Sequence, residues 1–420
     1  MCQVVVPRYS EEIFDKCLHF KCLGAIMRCI ERLVLNFMEC QKLFETIDGL
    51  YESYLGIWED ICNLESPHYD KAGVDSVGSY FIKIAQEKGW KIEIFEMENA
   101  GNAICITMNA DVKKAPVTFS AHMDTVHPVG SFGTPAVRFE GDKIYGPGVT
   151  DCKGGLVSAL CAMDALDRIG FVDRPVQFIL QSNEEGGSRE DKQKTVDYMC
   201  EKAKGSIAFI NLEGGAQGVA CVQRKGILTY RIKVTGVEAH SSLCATDGAS
   251  AIAEAARMIL ELEKYKDAEG LTCNCGMIQG GTAHNTVPGY CEFRANIRFV
   301  DKKQFDEISA EVEKLAANPH NPKCHIEAEI HGLRPAMERV ERNLKLLDTI
   351  NDIFEDNGLE RLEPVMRTGG SDAAQITEAG IPCLDNLGTW GGRIHSPDEY
   401  GLVESLKPSA KMLAAIAYCI

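Results

Sequence analysis

The sequence predicts an α/β protein: a mostly parallel sheet flanked by helices, interrupted by an inserted βαββαβ unit of α+β type. Three observations predict it. From residue 41 onward, apolar strand-like runs alternate with helix-patterned stretches, the arrangement of a parallel sheet covered by helices. At Gly226 this rhythm gives way to Leu228, Tyr230, Ile232 and Val234 alternating with Thr229, Arg231 and Lys233, a strand buried on one face. After Pro335 the α/β pattern returns.

Residues 1–40 hold five cysteines and a helix-patterned stretch over 14–38, and carry no assignable role. Over 41–63, Leu43, Phe44, Ile47, Leu50, Tyr51, Tyr54 and Leu55 recur at helical spacing. A second helix, about 74–88, stops at Gly89, a residue type suited to helix ends. Strands follow at 91–95, 103–108 and 117–120. Residues 155–168 read as a helix ending before Gly170, and 176–180 and 208–212 as buried strands. In the inserted unit, the strand after Gly226 is followed by a helix at 250–264, strands at 271–278 and 290–299, a helix at 303–317 and a strand at 324–330. A helix near 340–357, a strand at 365–368, the turn Gly369-Gly370-Ser371-Asp372 and a helix from about 407 complete the chain. The expected division is an extension over 1–40, a principal domain over 41–224 and 336–420, and an inserted domain over 225–335.

With 420 residues, 45% apolar and 25% charged, the chain is long enough for two soluble domains with sizeable cores. A net charge of −17 argues against nucleic acid and against an anionic membrane surface as partners. The 18 cysteines are irregularly spaced and too sparse for a disulfide scaffold. Residues 1–20 lack a basic region followed by an apolar run, and no apolar stretch is long enough to span a bilayer. The expected setting is a cytoplasm with reduced thiols.

Five short segments carry ligand chemistry: A-H-M-D-T-V (121–126), G-V-T-D-C-K-G-G (148–155), S-N-E-E-G-G (182–187), N-L-E-G-G (211–215) and R-I-H-S-P-D-E (393–399). Imidazole and carboxylate are donors that zinc accepts. His122 sits just past the strand V-T-F-S as a first ligand, with Asp124 spaced to accept its other ring N–H. Asp151 lies in a Gly-rich loop, and its two oxygens can bridge two cations. The rival phosphate loop fails, because no Gly-Lys-Ser/Thr follows at the right place. Glu184 and Glu185 are adjacent carboxylates; a cation relieves their repulsion for one and leaves the other as a base. Glu213 repeats the device after F-I-N-L, and His395 sits in the loop G-G-R-I-H-S. Each segment alone also fits a plain solvated loop; together they place all the candidates outside the inserted unit.

The inserted unit has its own candidates. His240 follows the alternating strand, Asn285 lies in the turn H-N-T-V-P, and Arg298 lies on the strand face opposite Phe293, Ala295, Ile297 and Phe299. Arg334 follows the last strand in G-L-R-P-A. Two arginines, an amide and a histidine can clamp a carboxylate and polarise a carbonyl. Arg294 reads as a solvated face residue. His68, His127 and His284 show no partner pattern and read as surface or packing histidines.

From about Leu43 to the C-terminus these residues resemble the co-catalytic dizinc metallopeptidases that include glutamate carboxypeptidase, aminoacylase, acetylornithine deacetylase and succinyl-diaminopimelate desuccinylase. The segments S-P-H-Y-D-K-A-G-V-D (66–75), L-R-P-A (333–336) and R-T-G-G-S-D-A-A (367–374) look like the glutamate carboxypeptidase branch. The resemblance implies two Zn2+ ions per subunit, with Co2+ or Mn2+ as substitutes. Asp151 would bridge them, His122 and Glu213 would complete one site, and Glu185 and His395 the other. Glu184 would be the general base acting on a metal-bound water, and Asp124 the residue orienting His122. The inserted unit would be a lid or dimerisation domain. His240 would come from the partner of a homodimer to stabilise the oxyanion, with Asn285, Arg298 and Arg334 holding the substrate carboxylate.

Cys152 stands where methionine is common in that family, and Asn296 where Asp often precedes the arginine. The expected activity is hydrolysis of an amide or peptide bond beside a free carboxylate, on a small peptide or N-acyl amino acid. The alternatives are an N-acyl-amino-acid deacylase or dipeptidase, a non-catalytic dimeric binding protein, and a thiol redox protein.

Overall fold

The computed structural model describes residues 23–187 and 193–420. The extension expected over 1–40 therefore lies outside the described residues as far as residue 22. The helices are α1 (Leu23–Asn63), α2 (Lys71–Lys88), α3 (Lys153–Arg168), α4 (Lys194–Ala203), α5 (Ala251–Leu262), α6 (Lys302–Ala317), α7 (Glu341–Asp356), α8 (Ala373–Glu378) and α9 (Leu406–Cys419). The principal strands are β1 (Lys91–Phe95), β2 (Ala103–Met108), β3 (Val117–His122), β4 (Val176–Gln181), β5 (Ala208–Asn211), β6 (Gly226–Thr235), β7 (Thr272–Gly280), β8 (Tyr290–Phe299), β9 (His325–Arg334) and β10 (Cys383–Leu384).

Two compact units result. The first holds the described residues up to Ala220 with Glu341–Pro364 and Ile381–Ile420; the second holds Cys221–Val340 and Val365–Gly380. Val365–Gly380 groups with the second unit because its backbone is tied there: Lys225 N–H donates to the Arg367 carbonyl at 3.1 Å.

The first unit is built on a six-stranded sheet in the order β1-β2-β4-β3-β5-β10. Strands β4, β3, β5 and β10 run parallel, whereas β1 and β2 join through antiparallel pairings. Strands β2 and β3 are buried along their whole length, as the apolar runs A-I-C-I-T-M and V-T-F-S-A-H require. Register then decides function. His122 pairs with Gln181 and Ser120 with Asn211, so the chain leaves β3, β4 and β5 at one carboxyl edge of the sheet.

Helix α3 packs against α1, α9 and β3 and is buried without interruption from Lys153 to Leu166. Its small residues permit this, and its one buried acid is fully served. Asp164 accepts from Tyr54 Oη at 3.0 Å and Arg168 Nε at 3.1 Å, and also pairs with Lys88 Nζ. Helix α2 begins at Asp70, whose carboxylate accepts from Ala72 N, and ends at Gly89 in the left-handed region (φ 70°), as its sequence predicts. The helix expected from residue 41 extends back to Leu23.

The second unit is a four-stranded antiparallel sheet in the order β7-β8-β6-β9. Leu228, Tyr230, Ile232 and Val234 of β6 and Phe293, Ala295, Ile297 and Phe299 of β8 bury one face against α5 and α6. Two further details differ from the sequence reading, one in each unit. The last strand does not stop at residue 330: a register shift between Ile330 and Gly332 restores pairing, and Arg334 lies inside β9 opposite Ile227. Short strands at Arg138–Glu140, Lys143–Tyr145, Gly391–Gly392 and Tyr400–Leu402 form a small separate sheet; two or three residues carry no readable alternation.

Burial alone would push the Asp164 carboxyl up, but its bonds to Lys88, Arg168 and Tyr54 prevail and hold it below the ordinary range. A depressed carboxyl stabilises the fold above its unfolded value of about 3.9, and that contribution vanishes as pH falls through the lower folded value. Asp164→Ala should therefore cost about 1–3 kcal/mol at pH 7. In urea titrations the gap between the variant and the native chain should narrow below pH 4; a gap constant from pH 7 to 3 would contradict the ionic origin.

Candidate metal centre

The carboxyl edge of the sheet gathers the candidates of the first unit. His122, the last residue of β3, is buried, with Nδ1 at 2.9 Å from the Asp124 carbonyl and Nε2 at 3.2 Å from Asp151 Oδ1 and 3.8 Å from Glu213 Oε2. A carbonyl only accepts, so Nδ1 carries the proton and Nε2 faces the carboxylates. Sequence spacing assigned the acceptor role to the Asp124 side chain. Its Oδ1 lies farther off, at 3.5 Å, and the carboxylate is occupied by the next segment: Oδ1 accepts from Glu184 N at 3.2 Å and Oδ2 from Glu185 N at 2.9 Å. Asp124 thus joins the first segment to the third.

Asp151 lies at the middle. Its Oδ2 is 3.2 Å from His395 Nε2, and that same nitrogen is 3.2 Å from Glu185 Oε2. The loop holding Asp151 is anchored to α1: Trp58 Nε1 donates to the Val149 carbonyl at 3.0 Å, and buried Lys153 Nζ donates to the carbonyls of Ile61 and Leu64 at 3.1 and 2.8 Å. These last two are orphan acceptors at the end of α1, the place where a cation is favoured. The glycines of this loop are needed for close approach. A Cβ on Gly155 would lie 2.3 Å from the carbonyl oxygen of Leu212, the residue before Glu213. His395 and Arg393 take positive φ (61° and 56°), which turns the loop so that the His395 ring reaches Asp151 and Glu185.

Charge is crowded here. Burial pushes the Glu185 and Glu213 carboxyls up to about 8, with Asp151 and Glu184 adding to the shift against the pull of the histidines. Hydrogen bonds to Asp151 and Glu185 push the His395 imidazole up to about 11. Asp151 is held low by His122 and His395 in spite of its burial. Without a cation Glu185, Glu213 and His395 therefore hold protons near neutrality, whereas Asp151 stays ionised. His122, Asp151 and Glu185 offer ligand atoms within 4.8 Å of one another, and so do His122, Cys152 and Glu213. A buried imidazole (His122), a half-exposed one (His395) and carboxylates around a shared carboxylate fit divalent cations, which replace the protons.

The remaining four candidates lie in the second unit. His240 and Asn285 come side by side: His240 pairs with Thr286, and Ser241 N–H donates to the Asn285 carbonyl at 2.9 Å. His240 Nδ1 accepts from Ser242 N at 3.3 Å, which leaves the proton on Nε2. Arg298 and Arg334 flank Ile227 from the two neighbouring strands. Arg298 Nε donates to Asn296 Oδ1 at 3.2 Å, so the asparagine does orient the guanidinium, and its Nη1 donates to the Thr368 carbonyl at 3.4 Å. Arg334 Nη2 lies 4.0 Å from Asp372.

Sequence reasoning missed two residues and misread one of them. His127, read as a surface or packing histidine, is buried with Nε2 2.7 Å from Glu399 Oε2. Glu399 in turn accepts the amides of Thr150 and Asp151. Glu399 closes the quoted fifth segment, but its partners are 272 and 248 residues away and nothing local marks them.

A model of peptidase family M20/M25/M40 matches residues 118–418. The chain belongs to this peptidase family. It is a metallopeptidase-family hydrolase with the mixed α/β fold that the sequence predicted. Among relatives, carboxypeptidase G2 of Pseudomonas sp. (strain RS-16) is 25% identical over 365 residues, 84% of this chain and 86% of its own. Acetylornithine deacetylase of Myxococcus xanthus is 27% identical over 334 residues, 76% of this chain and 83% of its own. A tripeptidase structure from Staphylococcus aureus shares the fold with a TM-score of 0.74 at 20% identity, covering 88% of this chain and 98% of that one.

Adding Zn2+ to chelator-stripped protein should raise Tm by several degrees, because a cation that binds only the folded state stabilises it. Asp151→Asn should lose more than half of that rise. An equal rise in both proteins would show that the metal binds elsewhere.

Proposed function

We propose that this M20-family protein hydrolyses an amide or peptide bond beside a free carboxylate, as a carboxypeptidase with two divalent ions. The observation that carries the reading is the Asp151 carboxylate, whose two oxygens each lie 3.2 Å from the Nε2 of a different histidine. In this reading His122, Asp151 and Glu213 hold one ion, and Asp151, Glu185 and His395 the other. Zinc suits such a mixed imidazole–carboxylate set, and Co2+ or Mn2+ can substitute. When bound, the ions supply Lewis acidity and make water a stronger acid near neutral pH.

The chain's own groups do the rest. Glu184 takes the proton of the attacking water and returns it to the leaving amine. Asp124 sets its place by accepting the Glu184 and Glu185 amides. His240, with its proton on Nε2, donates to the developing oxyanion from the partner copy of a homodimer. Exposed Met277 and Ile278 on the edge strand β7 and Leu260 on α5 support such a pairing. Arg298, Arg334 and Asn285 hold the substrate carboxylate. Similarity to carboxypeptidase G2 supports a carboxypeptidase, and the resemblance of residues 66–75, 333–336 and 367–374 to the glutamate carboxypeptidase branch favours C-terminal glutamate. Similarity to acetylornithine deacetylase favours a second reading, an N-acyl-amino-acid deacylase.

Zinc-loaded protein should be offered dipeptides, glutamyl amides and N-acyl amino acids, with products read by mass spectrometry. Release of the C-terminal amino acid from peptidyl substrates is expected. Release of acetate or succinate alone would replace the carboxypeptidase reading with the deacylase one. Glu184→Gln should keep its full metal content by elemental analysis while kcat falls about 10²–10⁴-fold. A metal-replete variant with native kcat would remove Glu184 from the base role.

A further inference from the structure

Glu399 is a wholly buried acid that the mechanism does not use. Its Oε1 accepts two successive backbone amides, Thr150 N at 2.9 Å and Asp151 N at 3.0 Å. Its Oε2 lies 2.7 Å from Nε2 of His127, a ring held edge-on to Phe132. Adjacent amides aimed at one anion form a small concave anion site, here filled by a side chain. Thr150 and Asp151 are themselves buried, so these N–H groups need an acceptor inside the protein.

Glu399 also lies four residues beyond His395. Between them the loop is drawn tight by Glu399 N–H donating to the Ser396 carbonyl at 3.0 Å. One loop therefore delivers two things: the ring that meets Asp151 Oδ2, and the carboxylate that grips the Asp151 backbone. The Asp151–His395 distance is closed through a short circuit of covalent and hydrogen bonds, with His127 anchoring the far oxygen.

We propose that Glu399, anchored by His127, is a positioning residue that holds the Asp151 carboxylate against His395 and so sets the geometry of the metal pair. The proposal rests on the dinuclear reading of the site. Glutamine at 399 keeps the shape and an oxygen for the two amides. It sets an NH2 group against His127 and removes the charge that strengthens all three bonds.

The test uses full-length protein, stripped and titrated with Co2+, whose visible absorption reports ligand geometry. Glu399→Gln should fold with a native circular dichroism spectrum yet bind at least one Co2+ equivalent about 10–100-fold more weakly, with an altered visible band. His127→Gln should shift both readouts in the same direction by less, and the double variant should match Glu399→Gln alone. A folded Glu399→Gln with native affinity and spectrum overturns the proposal and leaves the dinuclear reading intact. Native protein that takes up no Co2+ overturns both. If Glu399→Gln fails to fold, His127→Gln decides: an unchanged Co2+ spectrum overturns the positioning role.

Discussion

The arrangement turns on one carboxylate. Asp151 sits between His122 and His395, 3.2 Å from each, in a buried pocket of charge that also contains Glu184, Glu185 and Glu213. Bringing so many acids together is unfavourable unless protons or cations compensate, and burial enlarges the penalty. The upward displacement of Glu185 and Glu213 expresses that penalty. A fold that maintains such crowding must hold its backbone firmly, and much of the first unit can be understood as the means of doing so.

Two devices provide the firmness. The parallel register of β3, β4 and β5 releases the segments bearing His122, Glu184, Glu185 and Glu213 at one sheet edge. Around the Asp151 loop, α1 contributes the Trp58 donor and the carbonyls that receive Lys153, while α3 begins so close to Leu212, the residue after β5, that Gly155 admits no side chain. Lys153 itself is buried, and burial lowers its ammonium pKa. Its two carbonyl partners and the surrounding acids make the position tenable.

Much of this was legible in the sequence, for a physical reason. Strand-to-loop junctions rich in His, Asp, Glu and Gly stand out because such residues are unfavourable in strand interiors and are placed at ends for chemistry. Periodicity located β6 and β8 because one face of each is buried against α5 and α6. The illegible parts share a cause as well. His127 looked idle because its partner is far away in the chain. The Asp124 carboxylate looked committed to His122, but the amides of Glu184 and Glu185 claim it. Arg334 looked like a loop residue because a register shift hides the continuation of β9.

By itself the sequence determined the element types, the α/β class, the family to which the motifs belong and a set of candidate metal ligands, since these depend on local pattern and on side-chain chemistry. Only the tertiary structure decided how those residues meet. Which oxygen of Asp151 faces which histidine, which nitrogen of His122 and His240 carries its proton, and which buried acid grips the Asp151 backbone all follow from strand register and from contacts between residues far apart in the chain, and no local pattern encodes those distances.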